Sequence, residues 1–274
     1  MKKIMRLGIF GTLSDVKEAK EAGYDCIEAQ CTDFTDCSDS EFEEMKKQAE
    51  DNGVSIENVA NPLPLHLVFS DPNFDLSYWK NYLDKQAYRA HQLNVRFCCL
   101  GSSRCRKIPS EGNIEQAKQQ IYDTIAAVCD AYGKYDMHVL LEPVGSELTN
   151  FAVTIPETVE FIRGLGKKNL RTMVDMRWYL AEHDSYEELI TYADDIKHIH
   201  IDNPLLPFPE RAVPTCKDGF DYNAFFDVLW KIGYNGVLSI ETNTYTTLKE
   251  AMRSGIQFFE DYGITSYRRY YKQA

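Results

Sequence analysis

The sequence predicts an α/β fold, a single closed (β/α)₈ TIM barrel spanning residues 1–274, and three observations predict it. Eight short runs rich in Val, Ile, Leu and Cys alternate with longer amphipathic stretches. Most of these runs lack strict apolar–polar alternation, as expected of parallel strands buried on both faces. No antiparallel hairpin pattern interrupts the eight βα units, which favours closure into a barrel. An open doubly wound sheet is the runner-up. It is weakened because the turn Gly8-Ile9-Phe10-Gly11 has no G-x-G-x-x-G and the chain has no Walker sequence. The length of 274 residues suits one such barrel, commonly about 250 residues.

Taken in order, the first strand falls at Arg6–Phe10. The start Met1-Lys2-Lys3-Ile4-Met5-Arg6 is basic, but the apolar stretch behind it breaks at Gly8, Gly11 and Ser14. It therefore reads as a strand and not as a signal peptide. The second strand, Cys26–Gln30, follows the turn Ala22-Gly23-Tyr24. Ser38-Asp39-Ser40-Glu41 then opens a helix with capping residues and an acidic first turn. The third strand is predicted over 55–60, after Asn52-Gly53, and the fourth over 96–100, after Leu93-Asn94. Before the fourth, a helix over 78–93 sets Tyr78, Tyr82, Ala87, Tyr88 and Leu93 near one face. After it, a helix over 114–132 does the same with Ile114, Ala117, Ile121, Ile125, Val128 and Cys129. Strands five to eight are predicted over 138–142, 171–175, Ile196–Ile201 and 236–241, the last behind the turn Ile232-Gly233-Tyr234. Gly or Asn at most helix ends is the left-handed stop such units use.

Bulk properties narrow the function classes. Apolar residues make up 44% and charged residues 26%, ordinary values for a globular protein with a real core. No segment approaches the roughly 18 apolar residues of a membrane helix, so no membrane partner is expected. The formal net charge of −12 repels phosphate backbones and acidic membrane surfaces. Basic residues cluster at Arg104, Arg106, Lys107 and at Arg268, Arg269 without forming a stripe, so no nucleic-acid partner is expected and a small molecule is the better expectation. The eight cysteines, Cys26, Cys31, Cys37, Cys98, Cys99, Cys105, Cys129 and Cys216, form no C-x-x-C pair. Free thiols in a reducing cytoplasm are the expected state, and the Cys31/Cys37 spacing matches no zinc signature.

The chemistry lies at the strand ends. Glu142, Asp175, His200 and Glu241 each close an apolar run in strands five to eight. In a parallel barrel those ends converge on one rim, where sites are built. Any one of them alone reads as an ordinary polar residue where a strand meets solvent; four in successive units read as a set. Two Glu, one Asp and one His are an oxygen-rich donor set suited to one divalent ion such as Mn²⁺, Mg²⁺, Co²⁺ or Zn²⁺. Four protein ligands leave one or two positions open for adjacent substrate oxygens. Glu142 and Glu241, across the rim from each other, are also placed to take a proton from a carbon beside a polarised carbonyl and return one from the other side. Simple ligation without proton transfer is the alternative.

These residues resemble a known group, the xylose isomerase-like TIM-barrel superfamily of sugar (phosphate) isomerases and epimerases, with ketose 3-epimerase, inosose dehydratase and hydroxypyruvate isomerase among its members. The resemblance rests on Leu140-Leu141-Glu142-Pro143, Val174-Asp175, His198-Ile199-His200-Ile201-Asp202 and the stretch from Ile232-Gly233-Tyr234 to Ser239-Ile240-Glu241. Lys20-Glu21-Ala22-Gly23-Tyr24-Asp25-Cys26-Ile27-Glu28 and Leu100-Gly101-Ser102-Ser103-Arg104-Cys105-Arg106 fit as well. It implies a sugar or sugar phosphate isomerase or epimerase working through a metal-stabilised enediolate, with Mn²⁺ the leading ion. Glu142, Asp175, His200 and Glu241 would be its ligands, and Glu142 and Glu241 the acid/base pair. It further implies that Glu147 contacts the substrate and that Arg211 is the arginine of the loop after strand seven, here lengthened by Pro204, Pro207, Pro209 and Pro214. One departure stands out. Many members carry D-x-x-H at strand six, where this chain reads Asp175-Met176-Arg177-Trp178. Trp cannot accept a hydrogen bond but offers a stacking face and one N–H, so Trp178 is expected in the following loop, over the pocket mouth. His183 lies too far along to replace the histidine.

Other residues are weaker candidates. His66, in the loop after strand three, divides between pocket lining and solvated loop. Arg104, with Arg106 and Lys107, divides between a solvated loop and recognition of a substrate phosphate or carboxylate. His198, two residues before His200, points to the same side one layer deeper, where a buried hydrogen-bonded role suits it. His91 and His138 read as structural. Tyr262, Tyr267, Tyr270 and Tyr271 make an aromatic tail that packs either on the barrel bottom or on a second subunit of a homo-oligomer. Competing functions are an inosose-type dehydratase or other lyase, a non-catalytic sugar-binding or partner subunit, and an apurinic-site endonuclease. The last is disfavoured because its three-zinc cluster needs many histidines and this chain has six in all.

Overall fold

Residues 5–265 are described by a computed structural model. Among them eight parallel strands close on themselves in chain order. They are β1 Arg6–Phe10, β2 Cys26–Gln30, β3 Asn58–Ala60, β4 Phe97–Leu100, β5 His138–Leu141, β6 Leu170–Asp175, β7 Ile196–Ile201 and β8 Val237–Ile240. Because β1 pairs with both β2 and β8, no edge strand remains. The barrel predicted from the alternating runs is the one observed. The third strand is shorter than predicted: it begins at Asn58, although Ser55 still bridges Cys26. Strands β5 and β8 stop one residue before Glu142 and Glu241. Those two carboxylates remain anchored, because their backbone N–H groups donate to the carbonyls of Leu100 and Ile201.

Period-two alternation divides the strand residues between two cores. One parity, including Val59, Cys98, Val139, Leu141, Val174, Ile199 and Leu238, joins the large cluster shared with the helices. The other parity fills the barrel: Ala60, Cys99, Leu140 and Met173 form a separate cluster against Phe10 and Phe97. Glu142 and Asp175 lie two residues beyond Leu140 and Met173, and His200 two beyond His198, so they rise from this inner layer to the rim. A register irregularity between Thr172 and Val174 leaves Asp175 directly beside His200 on β7.

Ten α-helices surround the strands among the described residues: α1 Val16–Ala22, α2 Cys31–Thr35, α3 Asp39–Asn52, α4 Leu76–Gln92, α5 Ile114–Gly133, α6 Ile155–Leu165, α7 Met176–Ala181, α8 Tyr186–Thr191, α9 Tyr222–Lys231 and α10 Leu248–Asp261. Ser38 caps α3 in a capping box with Glu41, as its sequence predicts. Gly23 and Gly53 end α1 and α3 in the left-handed conformation, and Asn94 and Gly233 adopt positive φ at the two other predicted turns. On α4 the buried stripe is Leu83, Ala87 and Ala90, whereas Tyr78 and Tyr88 are 62% and 51% exposed. Of the predicted set, Ala87 and Leu93 are buried and Tyr82 packs partly buried against the core, so the buried face is turned away from Tyr78 and Tyr88 toward Leu83, Gln86 and Ala90. On α5 the predicted face is buried except Ile114, which stands at the helix start.

All eight cysteines are free. Cys98 packs outward toward Cys31, 3.9 Å between sulfurs, and Cys99 points into the barrel. Among the described residues no helix is long and apolar enough to cross a membrane. Tyr262 packs on Tyr222, Phe226 and Phe258. Met1, Lys2, Lys3 and Ile4, and Tyr267, Arg268, Arg269, Tyr270 and Tyr271, lie outside the described residues.

Candidate functional site

Strand ends β5 to β8 bring Glu142, Asp175, His200 and Glu241 together. Each offers one ligand atom, and these atoms all lie within 4.8 Å of one another. Donors sharing one ion stand at most roughly 4–5 Å apart, twice a bond of about 2.0–2.5 Å, so the set is nearly assembled. His200 Nδ1 is buried without a hydrogen-bond partner. It faces Glu241 at 3.2 Å and Glu142 at 3.8 Å. An orphaned nitrogen aimed at carboxylate oxygens is what a divalent cation would satisfy, and the donor set fits one.

The opposite edge of the same ring is already fixed. Glu28, from β2, receives His198 Nε2 at 2.8 Å and His200 Nε2 at 3.1 Å on separate oxygens. Burial alone would raise the Glu28 pKa, but the two imidazoles hold it well below the usual carboxylate range. An ionised carboxylate only accepts, so both rings donate Nε2–H, and His200 Nδ1 is left to face the cluster. Burial would lower the pKa of His200. Glu28, with Cys99, Glu142 and Glu241 close by, instead raises it well above its ordinary value.

Two arginines balance the remaining charge. Arg211, buried, donates to Asp175 at 2.6 Å and Asp202 at 3.2 Å, and lies 3.2 Å from Glu241. Although burial would raise it, Asp175 has its pKa lowered, with Arg211 the main opposing cause. Its other oxygen accepts the N–H of Arg177 and caps α7. Arg177 pairs with Asp202 at 2.6 Å. Burial pushes the Glu142 carboxyl up to about 7, against its bond to His200 and with help from Asp175 and Glu241. Gly101 makes room for it: a Cβ there would stand 2.2 Å from Glu142 Oε2.

A pocket of about 330 Å³ opens above the cluster, lined by Glu142, Glu241, Arg211 and Trp178, with Phe10, Gln30, Asn61 and Asn243 among the rest. Arg211 lines it as the sequence suggests. Trp178 also lines it but sits in a helix, not a loop, because Asp175 caps α7 immediately after β6. It is 4% exposed and packs on Val144, Leu148 and, at 5.5 Å, Phe208. Three other predicted substrate residues do not line this pocket. His66 is exposed on a turn, and Asn61 and Leu65 of the same loop reach the pocket instead. In the 3₁₀ turn Arg104–Arg106, Arg104 faces solvent while Cys105 and Arg106 turn inward. Arg106 is fully buried and donates to the Glu142 carbonyl at 2.5 Å; burial lowers its pKa to about 10. Glu147 is exposed and borders a neighbouring cleft.

His198 occupies the deeper layer its spacing predicts. The sequence reading assigned no role to Glu28, Arg177, Asp202, Asn61 or Gln30. A lone carboxylate inside Cys26-Ile27-Glu28-Ala29-Gln30 was the available clue to the first.

Comparison with known proteins gives the following. A family model described as xylose isomerase-like TIM barrel matches residues 16–262. D-psicose 3-epimerase of Agrobacterium fabrum is 21% identical over 231 residues, 82% of this chain and 77% of that protein. Among solved structures, a D-allulose 3-epimerase from Methylomonas sp. superposes with a TM-score of 0.78 at 14% identity, covering 95% of this chain and 98% of that one. A 3-keto-D-glucoside 4-epimerase from E. coli gives 0.77 at 16%, covering 94% and 99%. At these identities the structural likeness is one of fold.

Proposed function

The chain belongs to the xylose isomerase-like TIM-barrel family, and from that premise we propose that it is a divalent-metal-dependent enzyme that isomerises or epimerises a small sugar or sugar phosphate. The observation that carries this reading is the convergence of Glu142, Asp175, His200 and Glu241 at the rim, with one donor from each within 4.8 Å of the others. The names of the three relatives given above, each a sugar epimerase, support the reaction class, although a 3-DHS dehydratase and an AP endonuclease share the fold as well.

In this reading the four residues hold one ion, Mn²⁺ the first choice from an oxygen-rich set with one imidazole. When bound, such an ion supplies positive charge that polarises a carbonyl oxygen. The chain's own residues do the rest. One of Glu142 and Glu241 takes the proton from the carbon beside the carbonyl, and the other returns one to the opposite face. Arg211 limits the repulsion among Asp175, Glu241 and Asp202 as the charge distribution shifts. Gln30, Asn61 and Asn243 offer amides to sugar hydroxyls, and Trp178 and Phe10 offer apolar faces.

The test is a screen of ketoses, inososes and sugar phosphates with added Mn²⁺, followed by solvent-deuterium incorporation in Glu142→Gln and Glu241→Gln. Gln keeps an oxygen donor and removes the base. Exchange at the reacting carbon is expected to vanish in at least one variant; full exchange in both would exclude the acid/base pair.

A further inference from the structure

Below the rim lies a second group of donors. Glu28, Cys99, His198 and His200 are all buried, and one ligand atom from each lies within 4.8 Å of the others. Only His200 belongs to both groups. Its Nδ1 faces the rim, 3.2 Å from Glu241, and its Nε2 faces Glu28 at 3.1 Å. His198 reaches the other Glu28 oxygen at 2.8 Å, its ring perpendicular to that of His200. Neighbouring donors on a tetrahedral zinc stand roughly 3.3–3.7 Å apart. The Glu28 contacts fall slightly inside that spacing, and no pair lies more than about 1 Å outside it.

The two groups differ in chemistry. The rim offers three carboxylates and one nitrogen, a set for a hard ion with positions left open. The lower group offers one sulfur, two nitrogens and one oxygen, four donors that close a tetrahedron and select a thiophilic ion. Its charge is balanced as well. A carboxylate and a thiolate carry two negative charges and neutral imidazoles none, so a dication there leaves no net charge beside Ala60, Leu140 and Met173, the apolar layer that holds Cys99. The Nδ1 atoms of His198 and His200 are buried without hydrogen-bond partners. No bond on the far side of either ring therefore fixes its tautomer, and each ring is free to carry its proton on Nδ1 and turn an Nε2 lone pair to a metal.

We propose that Glu28, Cys99, His198 and His200 form a closed Zn²⁺ site whose occupation takes His200 away from the rim ion. On binding, the Cys99 thiol gives up its proton. An imidazole ligated at Nε2 keeps one proton on Nδ1, where it donates to Glu241 and no longer ligates. Serving both ions would require the ring to lose that last proton too. The zinc-loaded chain thus presents the rim with three carboxylates and no nitrogen. With its four positions filled by the chain, the lower ion has no place for a substrate, and its part is to control loading of the rim. The exclusion rests on the metal reading of the rim; the zinc site itself does not.

Co²⁺, which takes tetrahedral zinc positions, tests this on the full chain after its metals are stripped with a chelator. It should give a near-ultraviolet thiolate-to-metal band that Cys99→Ser lacks. Glu241→Ala, which removes a rim donor and leaves the lower four intact, should keep the band. X-ray absorption of the zinc-loaded wild type needs no variant and should show one sulfur at about 2.3 Å. No band in the wild type, a band that survives Cys99→Ser or is lost in Glu241→Ala, or zinc bound by nitrogen and oxygen alone overturns the site. In the sample that shows sulfur on zinc, Mn²⁺ should bind at least about tenfold more weakly than in metal-free protein. Equal Mn²⁺ affinity overturns the exclusion. None of these results depends on whether the rim acts on a sugar.

Discussion

The half of the rim built by β5 to β8 ends in charge, Glu142, Asp175, His200 and Glu241, whereas the half built by β1 to β4 ends in Phe10, Gln30, Asn61 and Gly101. The charged half cannot stand alone in a buried setting. Its carboxylates repel one another, and each needs a partner to remain ionised. That partner is Arg211 for Asp175 and Glu241, and across the barrel Glu28 serves the same need for His200. The neutral half needs no such support and so can present amides and an aromatic edge to an uncharged ligand. Phe10 meets His200 edge-on at 5.1 Å, which seats the imidazole from the neutral side. In the proposed function the charged half carries the reaction and the neutral half positions the sugar, and they are joined by β2, whose Glu28 bonds to His200.

The strongest way to break this division is to delete a charge from the first half. Asp175→Ala removes a donor and the N-cap of α7, and leaves Arg211 with its closest partner gone. Breaking a buried pair costs about 3–5 kcal/mol. Metal analysis of the purified variant is expected to show no bound divalent ion, and chemical denaturation a loss of that size. A variant that kept its metal and its stability would mean that the charged half is not organised around a cation.

What was legible in the sequence follows the same line. The barrel and the four donors could be read because strands impose period two: Glu142 and Asp175 lie two residues beyond the buried Leu140 and Met173, and each interrupts an apolar run at its end. His198 could be placed under His200 for the same reason. Loops impose no period. After β3 the chain runs through the buried Pro62 and Leu63 to an exposed turn, so His66 lands in solvent while Asn61, next to the strand, and Leu65 reach the pocket. Arg104 and Arg106 are two residues apart in a 3₁₀ turn and face opposite environments. A strand that ends at Asp175 implies a loop at Trp178, but a side-chain acceptor before Met176-Arg177 also starts a helix. The Glu28 to His200 contact joins residues 172 apart across the barrel interior, a distance no local pattern encodes.

A smaller change sharpens the comparison by touching only the link between the halves. Glu28→Gln keeps the shape of the side chain but places an amide NH₂ against one of two imidazole N–H groups. His200 then loses the carboxylate that fixes its ring, and metal affinity should fall about 10–100-fold, read by Mn²⁺ titration against wild type. Circular dichroism should report an unchanged fold. Wild-type affinity in this variant would reduce the role of β2 to packing.

The smallest expected effect lies wholly in the neutral half, at Asn61. Its backbone is left-handed, φ 57°, a conformation Asn tolerates better than most residues. Its side chain donates to Gln30 at 3.0 Å, and its backbone N–H donates to Cys99 at 2.8 Å. Two functions are therefore superimposed, one of conformation and one of pocket chemistry, and two substitutions separate them. Asn61→Gly removes the amide without straining the backbone; Asn61→Ala removes the amide and adds a conformational cost of about 1–2 kcal/mol. If the neutral half positions a sugar, both variants should weaken binding of a sugar found in the screen by about 0.5–1.5 kcal/mol, the worth of one hydrogen bond. Both variants lose the bond to Gln30, and the Ala variant should lose more thermal stability than the Gly variant. Metal content should be unchanged in both, because Asn61 is not among the four donors. Weakened sugar binding in the Ala variant alone would assign Asn61 to backbone geometry and leave the positioning role to Gln30 and Asn243.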